Sequence, residues 1–384
     1  MARLGDLIEQ IRGVSYKPED VHNSLDNESI ILLRANNIKD GKLNFDEVVF
    51  VGKEKVNEKQ ILKKGDILIC ASSGSKELVG KAAFVENDLP MTFGAFCKVA
   101  RPKKENKKYI GHFFNSPFYR EKISNSSAGA NINNIRNEHI DELQIEYPSL
   151  EEQEKISNIL DEVNELISCR KEQLAKLDEL VKARFVEMFG DPVSNSKGLP
   201  ELTLPELGEF GRGVSKHRPR NDPKLLGGKY PLIQTGEVAN SELYITSYEN
   251  TYSELGLKQS KMWKTETLCI TIAANIAKTA ILTFDACFPD SVVGFKANDK
   301  TNNIFIHYWF SFFQAILEAQ APESAQKNIN LKTLSELKII VPPIEQQNEF
   351  AAFVEQTEKT KSEVQKSLDE LEILKKSLMQ KYFG

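Results

Sequence analysis

The chain has 384 residues and carries 50 Lys and Arg against 55 Asp and Glu, a net charge of −5. That length suits two ordinary domains with full cores, and 40% hydrophobic with 27% charged residues excludes a disordered or fibrous protein. No run approaches the roughly 18 apolar residues of a membrane span, the start lacks the apolar stretch of a signal peptide, and five scattered cysteines form neither a disulfide framework nor a CxxC zinc site, so a cytoplasmic protein with no membrane contact is expected.

Read in order, the chain repeats itself. Leu4-Gly5-Asp6, Arg12-Gly13-Val14-Ser15 and Pro18 return as Leu207-Gly208-Glu209, Arg212-Gly213-Val214-Ser215 and Pro219. In the first half the apolar runs predict strands near residues 30–35, 47–51, 66–71 and 81–85, and a short helix over 109–114. Asn131-Ile132-Asn133 and a β-like run from Leu143 to Pro148 follow.

A long helix is predicted next, opened by Ser149 and Glu152 in a capping-box pattern. Its apolar positions Ile156, Leu160, Val163, Ile167, Leu174, Leu177, Val181 and Met188 recur at three-four spacing, interrupted by Arg170 and Arg184. Sustained over about five heptads, this predicts a coiled-coil helix of roughly 40 residues and about 60 Å. A Pro/Ser/Gly-rich linker covers residues 191–200.

The second half predicts strands near 230–235, 268–273, 279–284 and 292–296 and an apolar helix over 304–317. Asn328-Ile329-Asn330 pairs with Asn131-Ile132-Asn133, and the run from Leu337 to Pro342 repeats that from Leu143 to Pro148. A second long helix begins with Pro343 in its first turn, where proline is tolerated. Its seam is Phe350, Val354, Val364, Leu368, Leu371, Leu378 and Tyr382, interrupted by Thr357, Lys361 and Lys375. Pro148 to Gly190 and Pro342 to Gly384 are both 42 positions, a gap-free match.

The expected fold class is therefore α+β: globular α/β units at 1–148 and 201–342, helices at 149–190 and 343–384, and a linker at 191–200. The helices are expected to pair as an antiparallel coiled coil, giving a pseudo-twofold tandem repeat with the units at opposite ends. A parallel pair remains open on sequence alone. Long Lys and Arg stems at the seam interruptions are expected to snorkel outward, with register-setting or partner contact as the other reading.

Charge is divided unevenly. Residues 1–148 hold 22 basic against 21 acidic side chains and 196–342 hold 16 against 15, while 149–195 hold 6 against 11 and 343–384 hold 6 against 8. The acidity thus sits on the helices, which leaves the globular units able to bind nucleic acid but argues against a sequence-blind polycation mode. Two basic clusters stand out: Arg101, Lys103, Lys104, Lys107 and Lys108, and Lys216-His217-Arg218-Pro219-Arg220 in a Gly/Pro-broken loop. The second suits bidentate guanine or phosphate contacts.

No catalytic constellation is legible. Pro342-Pro343 lacks the flanking residues of a methyltransferase loop, and the Gly74 to Lys81 segment has five residues between its glycines, with Ala82 in place of the Ser/Thr of a phosphate-binding loop. Pro289-Asp290 with Glu336 and Lys338 is too scattered for a metal nuclease, and the five histidines show no ligand spacing.

The tandem halves, the strand entry Gly65-Asp66-Ile67-Leu68-Ile69 and the Asn-Ile-Asn segments carry a family resemblance, above all through Pro-x-φ-Glu-x-Gln, which opens a long helix at Glu151-Gln153 and again at Glu345-Gln347. Over essentially its whole length the chain resembles the specificity subunit of type I restriction-modification systems. The resemblance implies two target recognition domains, each reading half of a bipartite double-stranded DNA site. It also implies helices that fix spacing and dock two modification (methyltransferase) subunits, with two restriction (motor-nuclease) subunits added. The chain itself would be non-catalytic and hold no cofactor or metal, with S-adenosylmethionine, ATP and Mg belonging to the partners. A 60 Å coil would cap the half-site separation near 17 base pairs, at about 3.4 Å each.

The recognition domains share little sequence, so DNA-facing residues are chosen on polar loop character: Arg34, Asn36, Ser73, Ser75, Lys76 and Lys81 in the first domain, and Arg218, Arg220, Gln234, Thr235, Asn275 and Lys278 in the second. An orphan or self-standing DNA-binding or decoy protein, and a coiled-coil adaptor without a DNA role, are the alternatives.

Overall fold

The computed structural model describes residues 1–104, 106–126, 133–273, 275–320 and 329–384. It divides into two compact units, residues 1–171 with 365–384, and residues 172–364.

In the first unit a four-stranded antiparallel sheet runs in the order Ala82–Phe84, Ile67–Cys70, Cys97–Pro102, Ile8–Arg12. A second sheet runs Met91–Phe93, Ser29–Leu33, Val49–Gly52, Val21–His22, its first pair parallel. The second unit repeats the plan. Its first sheet carries Thr279–Leu282, Leu268–Thr271, Val292–Ala297 and Gly208–Arg212 in the same order, with Tyr244–Ile245 added beside Thr279–Leu282. Its other sheet runs Asn250–Tyr252, Leu226–Leu232, Ala286–Cys287, Met262–Trp263, again with one parallel pair.

The strands expected from apolar runs are present, several ending short of the expected bounds: at Leu33, where Ala35 opens a turn, at Thr271 and at Leu282. The run over 230–235 ends as a strand at Leu232, and Thr235 begins the helix Thr235–Asn240, capped through Glu237. Several strands fall outside the expected runs, and three of them show why. Cys97–Pro102 contains Lys98 and Arg101, which reads as loop, yet Lys98 is buried with its ammonium on Gln10 (3.1 Å) and Asn137 (2.8 Å), and Arg101 grips buried Asp66 through two 2.7 Å bonds. Gly208–Arg212 is disguised by its glycines, and a Cβ on Gly208 would meet the Lys296 carbonyl at 2.1 Å. Ile8–Arg12, the third, shows two buried apolar positions in five.

The Asn-Ile-Asn pairing is also corrected. Ile135 N donates to Ala71 O (2.8 Å) and Ile329 N to Ile272 O (2.9 Å), so the register aligns Ile135 with Ile329. Asn131, Ile132 and Asn328 lie outside the described residues. The two Asn-Ile-Asn triplets are three residues out of register with each other.

Both long helices form, Leu150–Phe189 and Ile344–Phe383, 40 residues each. Within each unit the two helical segments run antiparallel. In the first, Lys171 pairs with Glu372 (3.1 Å) and Arg170 Nε donates to Ser367 (3.1 Å), while Ile156 and Leu160 share a core with Met379 and Phe383. In the second, Arg184 meets Glu349 (2.9 Å) and Phe185 packs edge-on to Phe350 (5.4 Å). Ile156, Leu160, Val163, Ile167, Val181, Phe350, Val354 and Leu368 are buried, and Leu174, Leu177, Val364, Leu371 and Leu378 half-buried.

The helix-opening motif has a physical reason. Gln153 is buried and its amide donates to Pro148 O (3.0 Å) while accepting from Asn106 N (3.3 Å). Gln347 is buried likewise, donating to Pro342 O (2.9 Å) and Lys300 O (3.0 Å) and accepting from Thr301 Oγ1 (2.8 Å). Each glutamine ties its helix start to a loop of its own globular unit, satisfying carbonyls that burial would otherwise orphan. Exposed Glu151 and Glu345 sit in the first turns, where the helix dipole favours anions.

Snorkelling fails for Lys361. Its side chain is only 7% exposed and meets Asp178 (2.8 Å), Glu358 (3.2 Å) and Glu242. Burial alone would lower its pKa, but the hydrogen-bonded carboxylates win and raise it.

Candidate nucleic-acid interface

The first unit carries a cleft of about 690 Å³ whose lining includes Tyr16, Arg34, Asn36, Glu47, Ser73 and Phe96. Arg34 follows the buried strand Ser29–Leu33 and precedes the turn Ala35–Asn37; its N–H donates to Asn37 Oδ1 (2.8 Å). Asn37 is fully buried and donates to Asn44 O (2.8 Å) and Glu47 O (3.1 Å), which fixes the opposite wall. Asn36 reaches Glu47 Oε2 at 3.3 Å. Ser73 lies on the strand Ser72–Ser73, held against Asn133–Asn134.

Of the six residues chosen in this unit, Arg34, Asn36 and Ser73 therefore line one cleft. Ser75 and Lys76 are exposed on the loop that leaves Ser73, and Ser75 N donates to Ser73 Oγ (3.1 Å). Lys81 is exposed on the next strand entry and does not line the cleft. Tyr16, Glu47 and Phe96 were missed. Phe96, 72% exposed on the lip, carries the only sequence hint, an aromatic inside a Gly-Ala-Phe turn.

The RGVS repeat holds that lip. Val14 N donates to Phe93 O (2.7 Å) and Gly13 N to Cys97 O (3.3 Å); a Cβ on Gly13 would meet Gly94 O at 2.1 Å. In the second unit Val214 N donates to Phe288 O (3.1 Å) and Gly213 N to Val292 O (2.8 Å), and a Cβ on Gly213 would meet Phe288 O at 2.2 Å. Only glycine permits this backbone approach.

Backbone hydrogen bonds make candidate residues of the two units equivalent. Cys70 N donates to Lys81 O and Thr271 N to Lys278 O, both at 2.9 Å, so Lys81 and Lys278 are equivalent. Arg34 and Gln234 each precede a capped turn after the corresponding strand. Gln234 and Asn275 are exposed, Thr235 and Lys278 half-buried.

Arg218 and Arg220 are not free cations. Arg218 donates to Ser215 O (2.6 Å) and His217 O (2.8 Å) and lies 3.6 Å from Asp290, which also accepts from Arg220. Asp290 is thus committed to two guanidiniums. The first basic cluster is likewise largely structural: beyond Arg101, Lys103 binds the carbonyls of Gly5 (3.3 Å) and Asp6 (3.0 Å), Lys107 binds Lys64 O (3.0 Å), and Lys108 shares Asp161 with His112. Among the described residues no group of three His, Cys, Asp or Glu could hold a metal ion, and no helix is long and apolar enough to cross a membrane.

Comparison with known proteins agrees with this duplicated plan. A family model described as the type I restriction modification DNA specificity domain matches twice, over residues 1–179 and 201–372. The chain is 44% identical over 173 residues to the StySPI specificity subunit of Salmonella potsdam, a match covering 45% of this chain and 37% of that relative. It is 28% identical over 406 residues to the EcoKI specificity subunit of Escherichia coli (strain K12), covering 97% and 86%. Among solved structures, a chain of a type I R-M system gives a TM-score of 0.60 at 17% identity, covering 100% of this chain and 96% of that one. The S subunit from M. genitalium gives 0.59 at 15%, covering 100% and 95%. The structural likenesses speak for the α+β tandem fold, and the double family match decides the rest: the chain belongs to the type I restriction-modification DNA specificity family, as a non-catalytic specificity subunit.

Proposed function

We propose that each globular unit reads one half of a bipartite double-stranded DNA site, while the long helices set the spacing of the half-sites and dock two modification subunits, with two restriction subunits joining for cleavage. The observation that carries this reading is one topology used twice with different side chains on the same lip: Gly94-Ala95-Phe96 in the first unit, Pro289-Asp290-Ser291 in the second. A repeated scaffold with divergent loops is what two different half-sites require. The cleft lined by Arg34, Asn36 and Ser73 supports base reading in the first unit. S-adenosylmethionine, ATP and Mg act on the partner subunits, and a cytoplasmic location follows from the DNA partner.

The test is to sequence native DNA from the host, with and without this gene, by a method that detects methylated adenine. Loss of a split motif, two defined blocks around an unspecified spacer, is the expected result. An unchanged methylome would favour an orphan or decoy chain of the same architecture.

A further inference from the structure

The lip segments of the two units share equivalent backbone hydrogen bonds that fix their register. Ala71 N donates to Phe96 O (2.8 Å) and Ile272 N to Ser291 O (3.0 Å), and with the bonds from Val14 and Val214 these place Asp290 where the first unit has Ala95. What the second unit adds at that point is a carboxylate holding two arginines.

The loop bearing the arginines is rigidly based. Gln259 Oε1 accepts from Lys216 N (2.7 Å) and His217 N (3.0 Å), and Ser260 Oγ donates to Val214 O (2.7 Å). Arg218 donates twice through Nη1 to the backbone of its own loop, with Nη2 3.6 Å from Asp290. Arg220 donates through Nη2 to Asp290, and its side chain is 46% exposed, which leaves further N–H donors of the guanidinium available at a half-exposed position.

We propose that Asp290 is a positioning residue that aims Arg220 at a guanine in the half-site read by the second unit; this rests on the reading of the units as DNA readers. Guanine offers O6 and N7 to a bidentate guanidinium, and an arginine already held by a carboxylate loses less rotamer freedom on binding. A phosphate partner fits less well, because Asp290 would repel it and offset the charge that backbone binding exploits. Asp290 therefore directs the arginine toward base edges and away from sequence-blind contact.

The experiment uses the full chain with its methyltransferase subunits and reads the methylated motif in native DNA for wild type, Arg220→Ala, Asp290→Ala and Asp290→Glu. In wild type one block contains a required guanine. In Arg220→Ala and Asp290→Ala that position becomes degenerate, its discrimination falling roughly ten- to hundred-fold, while the other block is unchanged. Asp290→Glu keeps the requirement. Where modification falls below detection, binding of the purified complex to four oligonucleotides differing at that base supplies the same ratio. An equal loss on all four bases, or an unchanged motif in Arg220→Ala, overturns the proposal. If wild type supports no split motif, the reading of the units as DNA readers falls first and this role with it; if the motif appears without an Arg220-dependent guanine, only this role falls.

Discussion

Lys361 Nζ lies 2.8 Å from Asp178, and this bond joins the two long helices within the second unit from a seam position that heptad patterning reserves for an apolar side chain. Glu242, from the globular part, completes the cluster, so one ammonium links three elements. Removing it as Lys361→Met leaves three carboxylates facing one another. Because Asp178 and Glu242 are 54% and 71% exposed, solvent screens much of the repulsion, and the expected loss is about 1–3 kcal/mol. Urea denaturation of the full chain measures it; a variant as stable as wild type would mean the cluster contributes nothing.

Gln347 is the more deeply embedded of the two motif glutamines. Gln347→Ala strands the carbonyls of Pro342 and Lys300 and the hydroxyl of Thr301, and should destabilise the second unit by about 2–3 kcal/mol. Gln153→Ala breaks fewer bonds and should cost less. The ordering of the two denaturation midpoints is the check.

Acid should weaken the second unit through His307. Burial pushes its pKa down to about 4; a hydrogen bond with the Thr279 backbone opposes this and the nearby Lys361 ammonium adds to it. Between pH 6.5 and about 4 the unfolded chain takes up a proton that the folded chain refuses, so stability is full above this window and falls as pH drops through it. The loss over the whole window is about 3 kcal/mol, of which about 2 kcal/mol falls between about pH 7 and pH 5. Denaturation at about pH 7 and pH 5 should show a steeper fall for wild type than for His307→Gln, and equal slopes would remove His307 from the account.

Phe96 separates folding from recognition. At 72% exposure its replacement by serine should change stability by less than about 0.5 kcal/mol, yet weaken cognate DNA binding by about 1 kcal/mol if the lip touches bases. Thermal melting and fluorescence anisotropy of the same preparation give both numbers, and unaltered binding would take Phe96 out of the interface.

Features that depend on local pattern are legible in the residues alone. Period and length specify the helices Leu150–Phe189 and Ile344–Phe383, because a 40-residue apolar seam has no other stable outlet. The apolar strands, the tandem repeat and the family resemblance were legible for the same reason. Three candidate DNA residues, Arg34, Asn36 and Ser73, also come together in a single cleft.

Tertiary structure alone decided which charges are spent inside the fold. Arg101, Lys98 and Lys361 look like solvated cations in sequence, but each is drawn inward by a partner distant in the chain: Asp66, Gln10 and Asn137, and Asp178. Arg218 and Arg220 look free and are held by Asp290, about 70 residues away. A charge pair across such a separation leaves no local periodicity, since it is fixed by the sheet register that brings Asp290 to the lip beside the RGVS loop. The second RGVS glycine, visible as a repeat, acquires its reason only there, where two backbones approach too closely for a Cβ.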